Sequence, residues 1–215
     1  MSTMTGLFDV DGDMTPLEDG ASLLHGFALA HDDALVASLS HVIAAAPFRH
    51  MLTPGGFRMS VAMTNWGALG WVSDARGYRY DTRDPDSGRP WPAMPVAFME
   101  LATQAAARAG FEGFVPDACL VNRYDAGARL TLHQDRNERD FGAPIVSVSL
   151  GLPAVFLLGG LRRTERPRRL PLRHGDIVVW GGPSRLRYHG VAAVKPGHHP
   201  SIGDWRINLT FRKAG

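Results

Sequence analysis

The sequence predicts a mainly β domain of the α+β class, a barrel or sandwich of short strands with helices packed on one side. Three observations carry this. Two apolar-periodic segments with helix punctuation lie in the first half of the chain. From residue 115 onward short strand-like runs dominate, broken by Gly and Pro. The chain has 215 residues, 45% hydrophobic and 20% charged, enough for one sizeable core and too apolar for wholesale disorder.

In chain order, Asp32 or Asp33 can N-cap a helix over 34–46, with Leu35, Val36, Leu39, Val42 and Ile43 apolar and Pro47 ending it. A strand over 59–64 follows in a segment, 48–94, rich in Gly, Pro, Trp and Tyr. Pro95 suits the first turn of a second helix near 95–109, with Gly110 as its stop. Strands are then expected at 118–124, 129–133, 144–150, 154–158, 176–180, 188–193 and 205–212. The stretch Phe141–Leu161 carries no charge over 21 residues, the length of a membrane span. Pro144 and Pro153 interrupt it, and Val146, Val148 and Leu150 alternate with Ser147 and Ser149, so it reads as two buried strands. No basic segment followed by an apolar one opens the chain, which fits a cytoplasmic, reducing compartment and no membrane association.

Composition excludes some chemistry. The single cysteine, Cys119, rules out an internal disulfide and a cysteine-rich zinc cluster, and reads as core filler. The net charge of +2 hides an asymmetry: residues 1–48 hold seven acids and no Lys or Arg. Nearly all the bases are Arg, whose planar fork suits carboxylate and phosphate oxygens. Asp9-Val10-Asp11-Gly12-Asp13 looks like the start of a calcium loop, but Met14 stands at its sixth position and Gly20 at its twelfth, so it reads as an acidic tail.

Two patterns carry chemistry. In His133-Gln134-Asp135, positions i and i+2 of an extended chain point the same way and can share one ion. His189 supplies a third ligand, and two His with one carboxylate on one face is the arrangement of non-haem Fe(II) oxygenases. By itself the triplet is also a common chance pattern. The second is Arg206-Ile207-Asn208-Leu209-Thr210-Phe211-Arg212, which alternates strictly. Its polar side either meets water or holds a short diacid between Arg206 and Arg212, about 20 Å apart along a strand at ~3.3 Å per residue. Asn122-Arg123-Tyr124 adds polar groups at alternate positions.

Together with Thr53-Pro54-Gly55-Gly56, Trp71, Trp91-Pro92-Ala93-Met94-Pro95, Pro116-Asp117-Ala118-Cys119 and Val178-Val179-Trp180-Gly181-Gly182, these motifs resemble the AlkB family of Fe(II)- and 2-oxoglutarate-dependent dioxygenases over about 47–213. The resemblance implies a double-stranded β-helix (jelly-roll) core with supporting helices and an N-terminal nucleotide-recognition lid. It divides the chain into an acidic extension (1–32), helices and lid (33–114) and the dioxygenase core (115–215). It implies His133, Asp135 and His189 as Fe(II) ligands and catalytic centre. It implies Asn122, Tyr124 and Arg206 on the distal carboxylate of 2-oxoglutarate, with Asn208 and Arg212 near the chelating one, and O2 as the second cosubstrate.

The implied activity is oxidative demethylation of bases such as 1-methyladenine and 3-methylcytosine, releasing formaldehyde, succinate and CO2. The implied partner is alkylated single-stranded DNA, with duplex DNA and RNA as further candidates, met by a monomer without a protein partner. Trp71, Tyr78, Tyr80 and Arg163 become substrate contacts. Without the resemblance, the aromatics with Arg76 and Arg79 are equally an ordinary folded loop, and the run Arg162, Arg163, Arg166, Arg168, Arg169 and Arg173 a solvated turn. One position departs: a bacterial member of the family carries Asp two residues after the metal-binding Asp, where this chain has Asn137. Asn there keeps an acceptor for an exocyclic amine but loses the charge. Two rival readings stand beside this one. One is a same-fold oxygenase for a protein or lipid; the other is a non-enzymatic nucleic-acid-binding module.

Overall fold

The computed structural model describes residues 12–215. Its strands are β1 (Met14–Glu18), β2 (Ala21–Leu24), β3 (Ala62–Gly67), β4 (Gly70–Asp74), β5 (Gly77–Asp81), β6 (Ala118–Tyr124), β7 (Leu130–His133), β8 (Ile145–Gly151), β9 (Ala154–Leu158), β10 (Arg168–Leu172), β11 (Ile177–Trp180), β12 (His189–Val191) and β13 (Arg206–Arg212). The helices are α1 (Asp32–Ala45) and α2 (Val96–Arg108). A seven-stranded sheet, β1-β2-β11-β8-β13-β6-β3, faces a four-stranded one, β10-β9-β12-β7, and β4-β5 stand apart as a hairpin. All pairings are antiparallel. This is the expected jelly-roll.

Period-two patterning gives the large sheet its two destinations. From β13, Ile207, Leu209 and Phe211 join Val121 of β6, Val146, Val148 and Leu150 of β8, and Leu35, Leu39, Phe98 and Leu101 of the helices in one buried cluster. Tyr124, Ile145, Val178 and Trp180, from the other side of the sheet, meet Phe156, Leu158 and Leu170 of the small sheet in a second cluster. The uncharged 21-residue stretch is thus β8 and β9, and no helix among the described residues is long and apolar enough to cross a membrane. Cys119 is core, as expected, and burial pushes its thiol well above the usual range.

The differences from expectation have physical causes. Asp32 does not cap α1: His31 takes the N-cap position, and the Asp32 carboxylate lies 3.0 Å from His174 Nε2. Pro95 is the N-cap of α2 and Gly110 follows it at φ 89°. The strand expected over 59–64 runs three residues later, as β3, because its register is set by pairing with β6. The segment 14–24, read as acidic extension, supplies β1 and β2, with Leu17, Leu23 and Leu24 buried and β2 paired to β11. Their turn needs Gly20 at φ 73°, where a Cβ would stand 2.4 Å from Gly181 O. The calcium-like stretch lies mostly outside the described residues.

The helix-side core rests on aromatic contact. Trp66 stacks on Phe98 at 4.5 Å, and Phe98 meets Phe211 edge-on at 6.4 Å. Phe98→Ala leaves a cavity between α2 and the large sheet and is expected to cost about 3–5 kcal/mol. Urea denaturation checks this as a lowered midpoint at unchanged slope.

Candidate active site

The two sheets part at one end around a cavity of about 980 Å³. His133 ends β7 and His189 opens β12, and the two are direct register partners. Asp135 follows two residues after His133. The ligand atoms of all three lie within 4.8 Å of one another, the one such cluster found among the described residues. Each imidazole is oriented from behind. His133 Nδ1–H donates to Thr131 O at 2.9 Å and His189 Nδ1–H to Arg187 O at 3.1 Å. That tautomer leaves both Nε2 lone pairs aimed at Asp135, each 3.6 Å from one carboxylate oxygen. Burial, with His189 alongside, pushes His133 down to about 4, so it is a neutral ligand near pH 7. Trp180 and Phe156 pack on the His189 ring at 4.9 and 6.0 Å.

Asp135 is held from the side. Arg212 of β13 donates to its Oδ2 through Nε at 2.9 Å and Nη2 at 2.6 Å. Burial opposes ionisation of Asp135, but the Arg212 guanidinium outweighs it and keeps the carboxyl well below its usual range. The polar face of β13 is therefore buried, not in water: Arg206, Asn208, Thr210 and Arg212 are all at most 5% exposed. Arg206 Nη2 donates to Ser149 Oγ at 3.1 Å and its fork lies 4.9 Å over the Tyr124 ring. Among the described residues, its Nε and Nη1 have no hydrogen-bond partner, nor has Asn122 Oδ1 or Arg212 Nη1. Desolvation pulls Arg206 below its usual pKa, with Tyr124 opposing, so an unmatched cation waits at the cavity wall.

The lid hairpin forms a second wall. Trp71 of β4 stacks on Tyr78 of β5 at 5.6 Å. Trp71, Tyr78, Asn137 and Arg163 all line the cavity, as do Asn122, Tyr124, Arg206, Asn208 and Arg212. Tyr80 is used differently: its OH donates to Glu138 Oε1 at 2.6 Å, and burial raises the phenol well above its usual range. Arg76 and Arg79 are tied to Asp74, Arg79 by two bonds of 2.9 and 3.0 Å, so they brace the hairpin. Of the arginine run, Arg168 turns to Leu17 O and Glu18, and Arg163 stands exposed at the cavity rim.

Sequence reasoning gave Glu138 and Arg185 no structural role. Glu138, 6% exposed, stands 3.2 Å from Arg185 Nη2 and 3.4 Å from Arg212 Nε, while Arg185 also donates to Asp135 O and Ala143 O. The only available signal was a carboxylate next to the metal motif, and its partners lie 58, 47 and 74 residues away along the chain.

The donor set fits a hard-to-borderline divalent metal: two neutral imidazoles and one carboxylate on one face, with further positions open. The unpaired Arg206 nitrogens fit a carboxylate. The family model described as the 2OG-Fe(II) oxygenase superfamily matches residues 20–212. The chain is 54% identical over 213 residues to the Escherichia coli protein named Alpha-ketoglutarate-dependent dioxygenase AlkB, covering 99% of each chain. It is 40% identical over 134 residues to the mouse protein named Nucleic acid dioxygenase ALKBH1, covering 61% of this chain and 33% of that one. The solved structure of OsALKBH1 superposes with a TM-score of 0.82 at 30% identity, covering 94% of this chain and all of that one.

Two outcomes follow from this geometry. His133→Ala, Asp135→Ala or His189→Ala removes one of three ligands, and isothermal titration with Co(II) is expected to show at least a tenfold loss of affinity in each. Glu138→Gln keeps the shape but strips the counter-charge from Arg185 and Arg212. It is expected to lower stability by about 3–5 kcal/mol, the cost of orphaning a buried ion pair, measured by urea denaturation.

Proposed function

Because the chain belongs to the 2OG-Fe(II) oxygenase superfamily, and within it to the AlkB family, we propose that it oxidatively dealkylates N-alkylated bases in nucleic acid. It is an Fe(II)- and 2-oxoglutarate-dependent dioxygenase. One observation carries the proposed substrate: a single cavity brings together the metal triad, the two unbonded Arg206 nitrogens and the Trp71–Tyr78 aromatic surface, with Arg163 at its rim. Flat faces suit a base extruded from its stack, and rim arginines suit the phosphates around it.

In this reading His133, Asp135 and His189 hold Fe(II), and Arg212 keeps Asp135 ionised and turned toward the metal. Arg206 receives the distal carboxylate of 2-oxoglutarate, with Asn122 and Tyr124 beside it, while Asn208 and the free Nη1 of Arg212 face the chelating end. Fe(II), 2-oxoglutarate and O2 supply the oxidation that removes an N-methyl group as formaldehyde and leaves succinate and CO2. Trp71 and Tyr78 place the base, and the buried aromatics behind His189 keep water from the reacting end. Single-stranded DNA is the preferred partner, with duplex DNA and RNA as further partners. 1-Methyladenine and 3-methylcytosine are among the lesions, and a monomer acts in the cytoplasm.

Incubation with Fe(II), 2-oxoglutarate and a methylated oligonucleotide is expected to release formaldehyde in step with succinate; succinate without base-derived formaldehyde would remove nucleic acid as substrate. Arg206→Ala is expected to weaken 2-oxoglutarate by about 2–5 kcal/mol, seen as a raised KM, with oligonucleotide affinity little changed. A collapse of oligonucleotide affinity at an unchanged 2-oxoglutarate KM would make that strand a phosphate contact.

A further inference from the structure

Trp71 and Tyr78 line the cavity, whereas Tyr80, on the same hairpin, is not among the described residues of its wall. Its OH instead donates to Glu138 Oε1 at 2.6 Å. That same oxygen lies 3.4 Å from Arg212 Nε. Arg212 Nε carries one hydrogen and donates it to Asp135 Oδ2 at 2.9 Å, beside the Nη2 bond of 2.6 Å. Two carboxylates thus stand around one N–H, and one of them belongs to the metal triad. The phenol decides between them. With its O–H on Oε1, Glu138 has a hydrogen of its own, and Arg212 closes as a two-bond fork on Asp135. Without it, Oε1 is a buried carboxylate oxygen, and the donor left to it among the described residues is Arg212 Nε.

The hairpin carries its cavity face and this contact as one piece. Trp71 and Tyr80 are direct register partners across β4 and β5. Trp71 stacks on Tyr78 at 5.6 Å. Arg79, between the two tyrosines in sequence, grips the Asp74 carboxylate with both terminal nitrogens. A displacement of the aromatic face therefore moves the Tyr80 hydroxyl, and through Glu138 and Arg212 it reaches Asp135.

We propose that Tyr80 is a positioning residue that couples the aromatic hairpin to the metal centre: its hydrogen bond to Glu138 commits Arg212 to Asp135, so that a base held on Trp71 and Tyr78 and a metal held by the triad each strengthen the other. This rests on the nucleic-acid dealkylase reading and adds a regulation to it. With the hairpin seated, Asp135 is fixed by two bonds and keeps its oxygens toward His133 and His189. With the hairpin displaced, Arg212 is shared between Asp135 and Glu138, and the Asp135 carboxylate is free to turn. The metal site is thus tightest when a base holds the hairpin down. Such a coupling is reciprocal: the factor by which the oligonucleotide raises metal affinity is the factor by which the metal raises oligonucleotide affinity.

The test is a pair of titrations on wild type and on Tyr80→Phe, which removes one oxygen and keeps the ring. Isothermal titration measures Co(II) affinity with and without a single-stranded oligonucleotide carrying 1-methyladenine. Fluorescence anisotropy measures affinity for that oligonucleotide with and without Co(II). In wild type the oligonucleotide is expected to raise Co(II) affinity by about fivefold, and Co(II) to raise oligonucleotide affinity by the same factor. In Tyr80→Phe, Co(II) affinity without oligonucleotide is expected to fall by about tenfold, the size of a lost outer contact at a metal ligand, and both factors to fall towards one. Equal Co(II) affinity and equal factors in wild type and variant overturn the proposal. A loss of oligonucleotide affinity in metal-free Tyr80→Phe, with Co(II) affinity and both factors intact, makes Tyr80 a base contact and also overturns it. Factors of one in wild type overturn the coupling and leave the nucleic-acid reading standing, and this arm depends on no variant folding. No binding of the oligonucleotide by Co(II)-loaded wild type overturns both.

Discussion

The buried polar face of β13 is the constraint on which the rest of the site depends. A strand with one polar side ordinarily gives that side to water. Here it faces the small sheet, so two guanidinium groups are desolvated and must be answered. Arg212 is answered by Asp135 and Glu138, which fixes a metal ligand and ties the turn after β7 to the central sheet. Arg206 is left with two nitrogens that have no hydrogen-bond partner among the described residues, a deficit that a bound acid would fill. The same strand thus braces a metal ligand at one end and carries an unanswered cation at the other.

The arginines divide into two groups by what stands beside them. Arg76, Arg79, Arg168 and Arg187 each lie within an ion pair of Asp74 or Glu18 and hold loops together. Arg212 apart, those at the cavity have fewer answers among the described residues, and their charge gathers on the cavity wall. Bulk composition could not make this distinction, since both groups look alike in a count.

What was legible in the sequence was whatever is encoded by short period. The alternation of 206–212 and of 146–150, the i, i+2 spacing of His133 and Asp135, and the two helices are local patterns, and each stands in the structure. What was not legible depends on partners far along the chain. β3 takes its limits from β6, and β1 and β2 exist because β11 offers a free edge to residues whose acidity suggested a tail. β4 and β5 were hidden by Gly, Trp and Tyr, which suit a loop as well as a hairpin. Glu138 was passed over because burial of a carboxylate is decided by Tyr80, Arg185 and Arg212 together.

The lid hairpin belongs to neither large sheet, and its attachment is narrow. The side-chain amide of Asn65 on β3 pairs with both the N–H and the carbonyl of Trp71, at 2.9 Å each, doing for one residue what a neighbouring strand would do for several. The remaining ties among the described residues are single side-chain bonds, from Ser73 to Leu52 O, Trp71 to Asn137, Tyr80 to Glu138 and the Trp91 indole to Asp81 O. The aromatic hairpin is therefore joined to the sheets that carry the metal triad by a few separable stitches, with no shared ladder among the described residues. Such a seam lets the two drift at different tempos: substitutions can accumulate on the hairpin and retune what is recognised, while the oxidising machinery beneath is inherited unchanged.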